Sequence, residues 1–282
     1  MRISNPNGPC VRIPEGVTNV RIEDNEIGPC GWGHDDVGVL ISPNANDVTV
    51  RHNVIRDAPS AVYARSARHP IVVEGNLVYN IRGPLPRGQM VQFNGVNGGW
   101  GQSRIVGNVS DKRLATIATR YEDHISMFQS SGTSSAPILI ACNRLRGGDS
   151  NNGSGIIIGD YGGEWYTVRD NVIVLVANVG IGVAGARNAT ISGNWIYQKG
   201  SSPDTKTNLA SYSMTYAGVT PGNVTFSNNR GIAVGWLNGL WNTPQNAHWD
   251  DGTGWNIRYS GNNWNDNSLS EAIWTQTPPG CQ

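Results

Sequence analysis

Apolar and polar positions alternate along the chain in short strands that stop at a common signal. The stretch Ile71-Val72-Val73-Glu74-Gly75-Asn76 ends at Gly-Asn, and the same pattern closes at Asn25, Asn53, Asn108, Asn143, Asn171, Asn194, Asn229 and Asn262. Three places before each Asn stands an apolar residue: Ile22, Val50, Val73, Ile105, Ile140, Val168, Ile191, Phe226 and Tyr259. The position just before it holds Asp24, His52, Gly75, Gly107, Cys142, Asp170, Gly193, Asn228 or Gly261, mostly residue types that tolerate positive φ at a tight turn. Successive Asn residues lie 28, 23, 32, 35, 28, 23, 35 and 33 positions apart. Periods of this size signal a solenoid or a propeller.

The material between the Asn residues chooses among the solenoids. Most intervals hold a second apolar strand, as at 37–42, 61–64, 90–95, 125–130, 155–160 and 180–185. None carries a ten-residue amphipathic helical pattern, which argues against leucine-rich and helical repeats. Propeller blades need about four strands in ~40–50 residues, and these intervals have room for two or three. The pattern therefore predicts an all-β chain, a single-domain right-handed parallel β-helix of about nine to ten coils. Its Asn side chains would form an inward ladder between coils ~4.7–4.9 Å apart. The expected division is a lead-in over 1–16, coils over 17–231, and last coils with a Trp-rich cap over 232–282, where six of the ten Trp fall.

Composition narrows this further. With 36 Gly in 282 residues and only 15% charged residues, the chain reads as turn-rich β structure rather than a disordered one. Zero net charge gives no basic footprint for nucleic acid, and no 18-residue apolar run predicts a membrane span. Gly180-Ile181-Gly182 reads as strand glycine, not a dinucleotide motif, because no helix follows. No secretory signal is recognisable at the N-terminus, and no capping helix precedes Val20, so a partner domain or chain is expected over the first coil. Cys10 and Cys30 are placed either to bridge that coil, as in an exported protein, or to stand as two free thiols. Cys142 and Cys281 lack metal-site spacing. The C-terminal Trp cluster reads first as a cover for the last coils, and otherwise as a sugar-stacking surface.

Candidate chemistry gathers at the start of the second strand. Aligning Ile41, Phe93, Phe128 and Ile158 brings Asp35-Asp36, Arg87-Gly88, Glu122-Asp123 and Asn152-Gly153 to neighbouring positions on one turn. On that alignment Arg87 and Glu122 stand within ion-pair reach, and Asn94, Gln129 and Asp160 form a second polar column. The run Tyr121-Glu122-Asp123-His124 packs a phenol, two carboxylates and an imidazole into four residues. General acid–base chemistry needs groups of different pKa side by side. His124 and Tyr121 are the expected proton-transfer groups, with Glu122 and Asp123 beside them, and Arg87 is the expected neutraliser of a substrate carboxylate. His34, Asp35, Asp36, Asn94, Gln129 and Asp160 are the expected substrate-binding residues. No cofactor is required, although Glu122, Asp123 and Asp149 offer an oxygen site for Ca²⁺. The bland alternative is a solvated polar turn with an ion pair worth ~0–1 kcal/mol.

The Asn-terminated coils, over roughly residues 17–265, resemble the right-handed β-helix repeats of the pectate-lyase-like superfamily. More narrowly, the run from Glu122 to Gly148 and the stretch Ser154–Gly163 are similar to uncharacterised bacterial parallel β-helix repeat proteins. The superfamily includes polysaccharide lyases, mannuronan C5-epimerases and glycoside hydrolases, so the resemblance implies an extracellular or periplasmic protein acting on a polysaccharide. The sequence departs from the catalytic motifs of these groups. The epimerases' Asp-Pro-His is absent, with Glu122-Asp123-His124 a loose echo. The paired aspartates and Gly-His-Gly of polygalacturonases are missing, with Gly33-His34-Asp35-Asp36 nearby. No catalytic residue carries over. Two functions follow: an enzyme acting on an extended, acidic polysaccharide by β-elimination or epimerisation, or a non-catalytic carbohydrate-binding or structural β-helix such as an adhesin or phage-spike shaft.

Overall fold

The structure is a computed structural model that describes residues 1–114, 122–148, 153–176, 178–199, 209–233, 235–237, 240–242 and 247–281. It is built on three nine-stranded parallel sheets through which the chain passes in turn once per coil, with a two-stranded antiparallel pair at Gly235–Leu237 and Leu240–Asn242 beside them in the sequence. The first sheet holds the strands that precede each Asn, from Thr18–Glu23 to Trp255–Ser260. The second holds those that follow it, from Arg2–Asn5 to Arg230–Ala233. The third runs from Val11–Ile13 to His248–Asp250. The strands at Arg2–Asn5 and Val11–Ile13 pair with Glu26–Cys30 and Val39–Ile41. Coil structure therefore begins at residue 2, and the segment 1–16 is not a lead-in.

The corner between the first and second sheets is identical in kind in every coil. All nine residues before the Asn adopt φ between 53° and 66°, the left-handed conformation that turns the chain in two residues. This answers the abrupt stop at Gly75-Asn76. Each Asn then bonds to the next: Asn25, Asn53, Asn76, Asn108, Asn143, Asn171, Asn194, Asn229 and Asn262 form one line with Nδ2–Oδ1 distances of 2.8–3.2 Å. The same Nδ2 also donates into the preceding coil, as Asn143 does to the Ile105 carbonyl at 2.8 Å. Asn108, Asn143, Asn171 and Asn194 are fully buried. Each amide is thus satisfied on both sides, as a buried polar group must be.

Inward positions of the third sheet supply a continuous apolar column, in which Val39, Val62, Val91, Ile125, Ile156 and Ile181 stack in register. The next column places Ile41, Ala64, Phe93, Met127 and Ile158 side by side. Met127, not Phe128, is therefore the partner of Phe93. Both are apolar, so alternation alone does not fix the register there, and a slip of one residue exchanges the two faces of a strand. Phe128 points outward and pairs with Asp160 across an irregularity in the ladder.

Cys10 and Cys30 form a disulfide, and so do Cys142 and Cys281. The second bond pins the C-terminal tail back along the outer face of the second sheet. There Leu269 and Ile273 pack on Val172, Val174 and Ile232, and Trp274 lies under the Arg146 guanidinium at 4.1 Å.

Candidate functional site

The outer face of the third sheet carries a column whose members change character along the solenoid: Leu40, Tyr63, Gln92, Ser126, Ile157, Gly182, Tyr212 and Trp249 occupy equivalent positions on successive strands. Toward the C-terminal half this face sinks into a cleft of about 440 Å³ lined by Glu122, Asp123, Ser154, Ile157, Asp160, Tyr212, Tyr216 and Trp249, among others. Gly182 shapes it. A Cβ at this position would stand 2.6 Å from Ile157 Cδ1 and 2.7 Å from Tyr212 Cζ, so the missing side chain is what lets the Tyr212 ring lie across the neighbouring coil.

The cleft collects carboxyl groups from two coils. Glu122 and Asp123 lie in the turn that leads into Ile125–Phe128, and Asp160 ends Ser154–Asp160 on the adjacent strand. Asp123 is buried, and its Oδ1 accepts the Ser154 backbone N–H at 2.7 Å. Burial and then the neighbouring Glu122 push its carboxyl up to about 7. The same two causes, in the same order, raise Asp160 to about 6, and burial raises Glu122 against the pull of Lys112. The Tyr212 phenol is held in its neutral form by burial and then by Asp123 and Asp160. Carboxyl groups of raised proton affinity, lining one cleft with a neutral phenol, can serve as proton donor and proton acceptor near neutral pH.

The turn carrying Glu122 and Asp123 is held from behind. Lys112 Nζ donates to the Glu122 carbonyl and, at 3.2 Å, to that of Asp123. His124 does not reach the cleft, contrary to the expectation of a proton-transfer group in an open groove. It is 1% exposed, with Nε2 donating to the Gly147 carbonyl at 2.7 Å and Nδ1 accepting from Ser110 Oγ at 2.9 Å. Burial, then Lys112, keeps it neutral well below the usual imidazole range. Placed one residue before the inward Ile125, it fills the corner between the second and third sheets and ties them together.

Arg87 is also engaged elsewhere. Its Nε donates to the His34 carbonyl at 2.7 Å, its Nη1 to Gln92 Oε1 at 2.9 Å, and its guanidinium lies 4.1 Å over the Tyr63 ring. Its carboxylate neighbour is Asp35 at 3.9 Å; the expected pairing with Glu122 is not formed. With Val91 opposite Ile125, the level of Glu122 is that of Gly88. Asp35 also pairs with Arg65 at 3.0 Å, Asp36 accepts the Gly33 N–H at 2.7 Å, and Asn94 donates to the Tyr63 hydroxyl at 3.2 Å. His34, Asp35, Asp36 and Asn94 therefore belong to a cluster in the first coils. Gln129 sits exposed in a turn with φ 47° and does not continue the column from Asn94 to Asp160. Of the expected binding residues, Asp160 alone joins Glu122 and Asp123. Tyr121 and Asp149 lie outside the described residues. Among the described residues, no group of three or more His, Cys, Asp or Glu is placed to hold a metal ion.

Tyr212, Tyr216 and Lys112 were not singled out from the sequence, whereas Trp249 belongs to the C-terminal Trp cluster read there as a cover or a sugar-stacking surface. Superposing Val179–Ala184 on Leu209–Met214 would have set Tyr212 opposite Gly182.

No family profile matches the sequence, and neither does any curated protein. Solved structures do match. An alginate lyase from Paenibacillus sp. str. FPU-7 is similar over 93% of this chain and 79% of its own, with 14% identity and a TM-score of 0.55. An endo-xylogalacturonan hydrolase from Aspergillus tubingensis is similar over 89% and 84%, with 13% identity and a TM-score of 0.52. The chain is a right-handed parallel β-helix protein. DFA-IIIase from Arthrobacter chlorophenolicus A6 shares the β-helix over 90% of this chain and 67% of its own, with 12% identity and a TM-score of 0.52. At these identities the likeness is one of fold, and function has to be argued from the site.

Proposed function

We propose that this β-helix protein is a carbohydrate-active enzyme that hydrolyses glycosidic bonds in the cleft on its third sheet. The observation that carries the reading is the convergence of Glu122, Asp123 and Asp160 on one cleft, where burial raises the proton affinity of all three carboxyl groups. Asp123, buried in the turn and accepting the Ser154 N–H, is suited to protonate the departing glycosidic oxygen, and the less buried Asp160 is suited to activate water or attack the anomeric carbon. Glu122 keeps both acids weak by its charge. Tyr212, neutral beside them, donates a hydrogen bond without adding charge.

The reading of β-elimination or epimerisation on an acidic polymer draws less support. It relied on His124 as base and Arg87 as neutraliser, and both are occupied in tying turns together. Among the described residues no Lys or Arg lines the cleft, and three carboxyl groups there disfavour a polyuronate. The preferred substrate class is therefore a neutral glycan. Two disulfides fit an oxidising compartment, so we place the protein outside the cytoplasm. The test is incubation with neutral polysaccharides and with uronate polymers, following new reducing ends and, separately, the ultraviolet absorbance of an unsaturated uronate end. Reducing ends from a neutral glycan, lost in Asp123→Asn, are expected. An unsaturated product from a uronate polymer would overturn the hydrolytic reading.

A further inference from the structure

Beside the carboxyl cleft, aromatic rings from separate coils meet on the rim. Phe128 and Tyr161 have ring centroids 5.0 Å apart, and Tyr161 meets Tyr216 edge-on at 5.5 Å. Tyr161 follows Asp160 directly in the chain, and Tyr216 lines the cleft itself. Tyr216 belongs to a later coil than Tyr161 and arrives there by a tight turn, closed by reciprocal Tyr216–Val219 backbone hydrogen bonds of 3.0 and 2.8 Å. That turn leans over the intervening coil because Gly185 leaves room. A Cβ on Gly185 would stand 2.7 Å from the Val219 carbonyl oxygen.

Two features of Tyr161 are hard to explain by stability. Its ring is 48% exposed, so burial returns little. Its φ is 58°, in the left-handed region where a bulky residue is strained and where glycine, its next neighbour, would be the relaxed choice. Strain kept at an exposed residue beside a reactive cleft points to a function.

We infer that Phe128, Tyr161 and Tyr216 form a stacking platform for a pyranose ring of a neutral glycan, in the subsite adjoining Asp160. An aromatic face presents a broad apolar surface to the C–H face of an uncharged sugar, and Asp160 beside it disfavours a uronate there. The platform rests on the hydrolytic reading of the cleft but is tested apart from it, because binding is measured without turnover.

Calorimetric titration with gluco-, xylo- and manno-hexasaccharides, and with a hexauronate, compares wild type, Tyr161→Gly and Tyr161→Trp, with melting temperature recorded for each. Wild type should bind at least one neutral hexasaccharide in preference to the hexauronate. Tyr161→Gly should weaken that binding by about tenfold or more, as the loss of one stacked ring does (~1–3 kcal/mol for base–aromatic stacking), yet melt no lower, since glycine relieves the backbone. Tyr161→Trp should keep the affinity. Binding of no neutral hexasaccharide, unchanged affinity in Tyr161→Gly, or a lowered melting temperature in that variant would each overturn the platform. Glycan bound through Tyr161 but never cleaved would instead reject the hydrolytic reading and leave the platform standing.

Discussion

Two corners of the same coil behave oppositely. Between the first and second sheets every coil turns in two residues, with a left-handed residue followed by an Asn that is buried in all but the first and last rungs. Between the second and third sheets the connection ranges from four residues, between Val174 and Val179, to fourteen, between Ala233 and His248, with thirteen between Asp111 and Ile125. The first corner is fixed because each Asn must meet the amide above and the carbonyl below, so any insertion breaks two coils at once. The second corner has no such ladder. Its turns vary freely, and the thirteen-residue connection between Asp111 and Ile125 delivers Glu122 and Asp123 to the cleft. Chemistry has collected where the repeat is loosest, on loops positioned by a rigid scaffold.

The largest contrast is expected from removing a group at each corner. Asp123→Asn should lower glycan turnover by ~10²–10⁴, the usual contribution of a general acid, while the melting temperature holds. At the fixed corner, Cys142 occupies the left-handed position before Asn143 and is bonded to Cys281. Replacing both cysteines by Ser should cost ~2–4 kcal/mol in denaturant titration, the typical worth of a disulfide, with turnover retained.

Next in size is a ladder rung. Asn143→Ala removes the acceptor of the Asn108 backbone N–H and of one Asn108 Nδ2 hydrogen bond, and the Nδ2 donor to the Ile105 carbonyl, and should cost ~1–3 kcal/mol by chemical denaturation. His124→Ala breaks two buried hydrogen bonds and should cost a similar ~1–3 kcal/mol. That result would mark it as a brace of the variable corner rather than its proton carrier. An unchanged melting temperature in His124→Ala would contradict this assignment.

A further expected effect is a drift of stability with pH. Asp123 and Asp160 titrate higher in the folded protein than when unfolded, at about 7 and about 6 against 3.8. Between those values the folded state binds more protons than the unfolded one, so stability falls as pH rises. Melting temperature should therefore decline from pH 4 toward pH 7 and level off above it, and Asp123→Asn should flatten the decline.

How much of this was legible in the sequence follows the same division. The ladder was readable because each rung repeats a local signal, and nine copies set its register. The carboxyl cleft was half readable. Glu122 and Asp123 stood out by density, but their partners depend on pairing between coils. Met127-Phe128 offered two apolar residues for one inward position, and choosing Phe128 moved Arg87 beside Glu122 and Gln129 beside Asp160. His124 looked reactive because composition does not report burial. Tyr212 was invisible because its place depends on an absent side chain at Gly182 in the preceding coil. The bond from Cys142 to Cys281 spans 139 residues and had no local signature at all.

The central claim is that the variable corner carries acid catalysis separable from the coil's stability. The most direct measurement is reducing-end release from a neutral glycan by wild type and Asp123→Asn near pH 7, with the melting temperature of both proteins recorded in the same buffer. The account predicts turnover lower by two to four orders of magnitude in the variant (~10²–10⁴) and a melting temperature equal to or above that of wild type. Turnover equal to wild type, or a loss of turnover accompanied by an equal loss of folded protein, would contradict it.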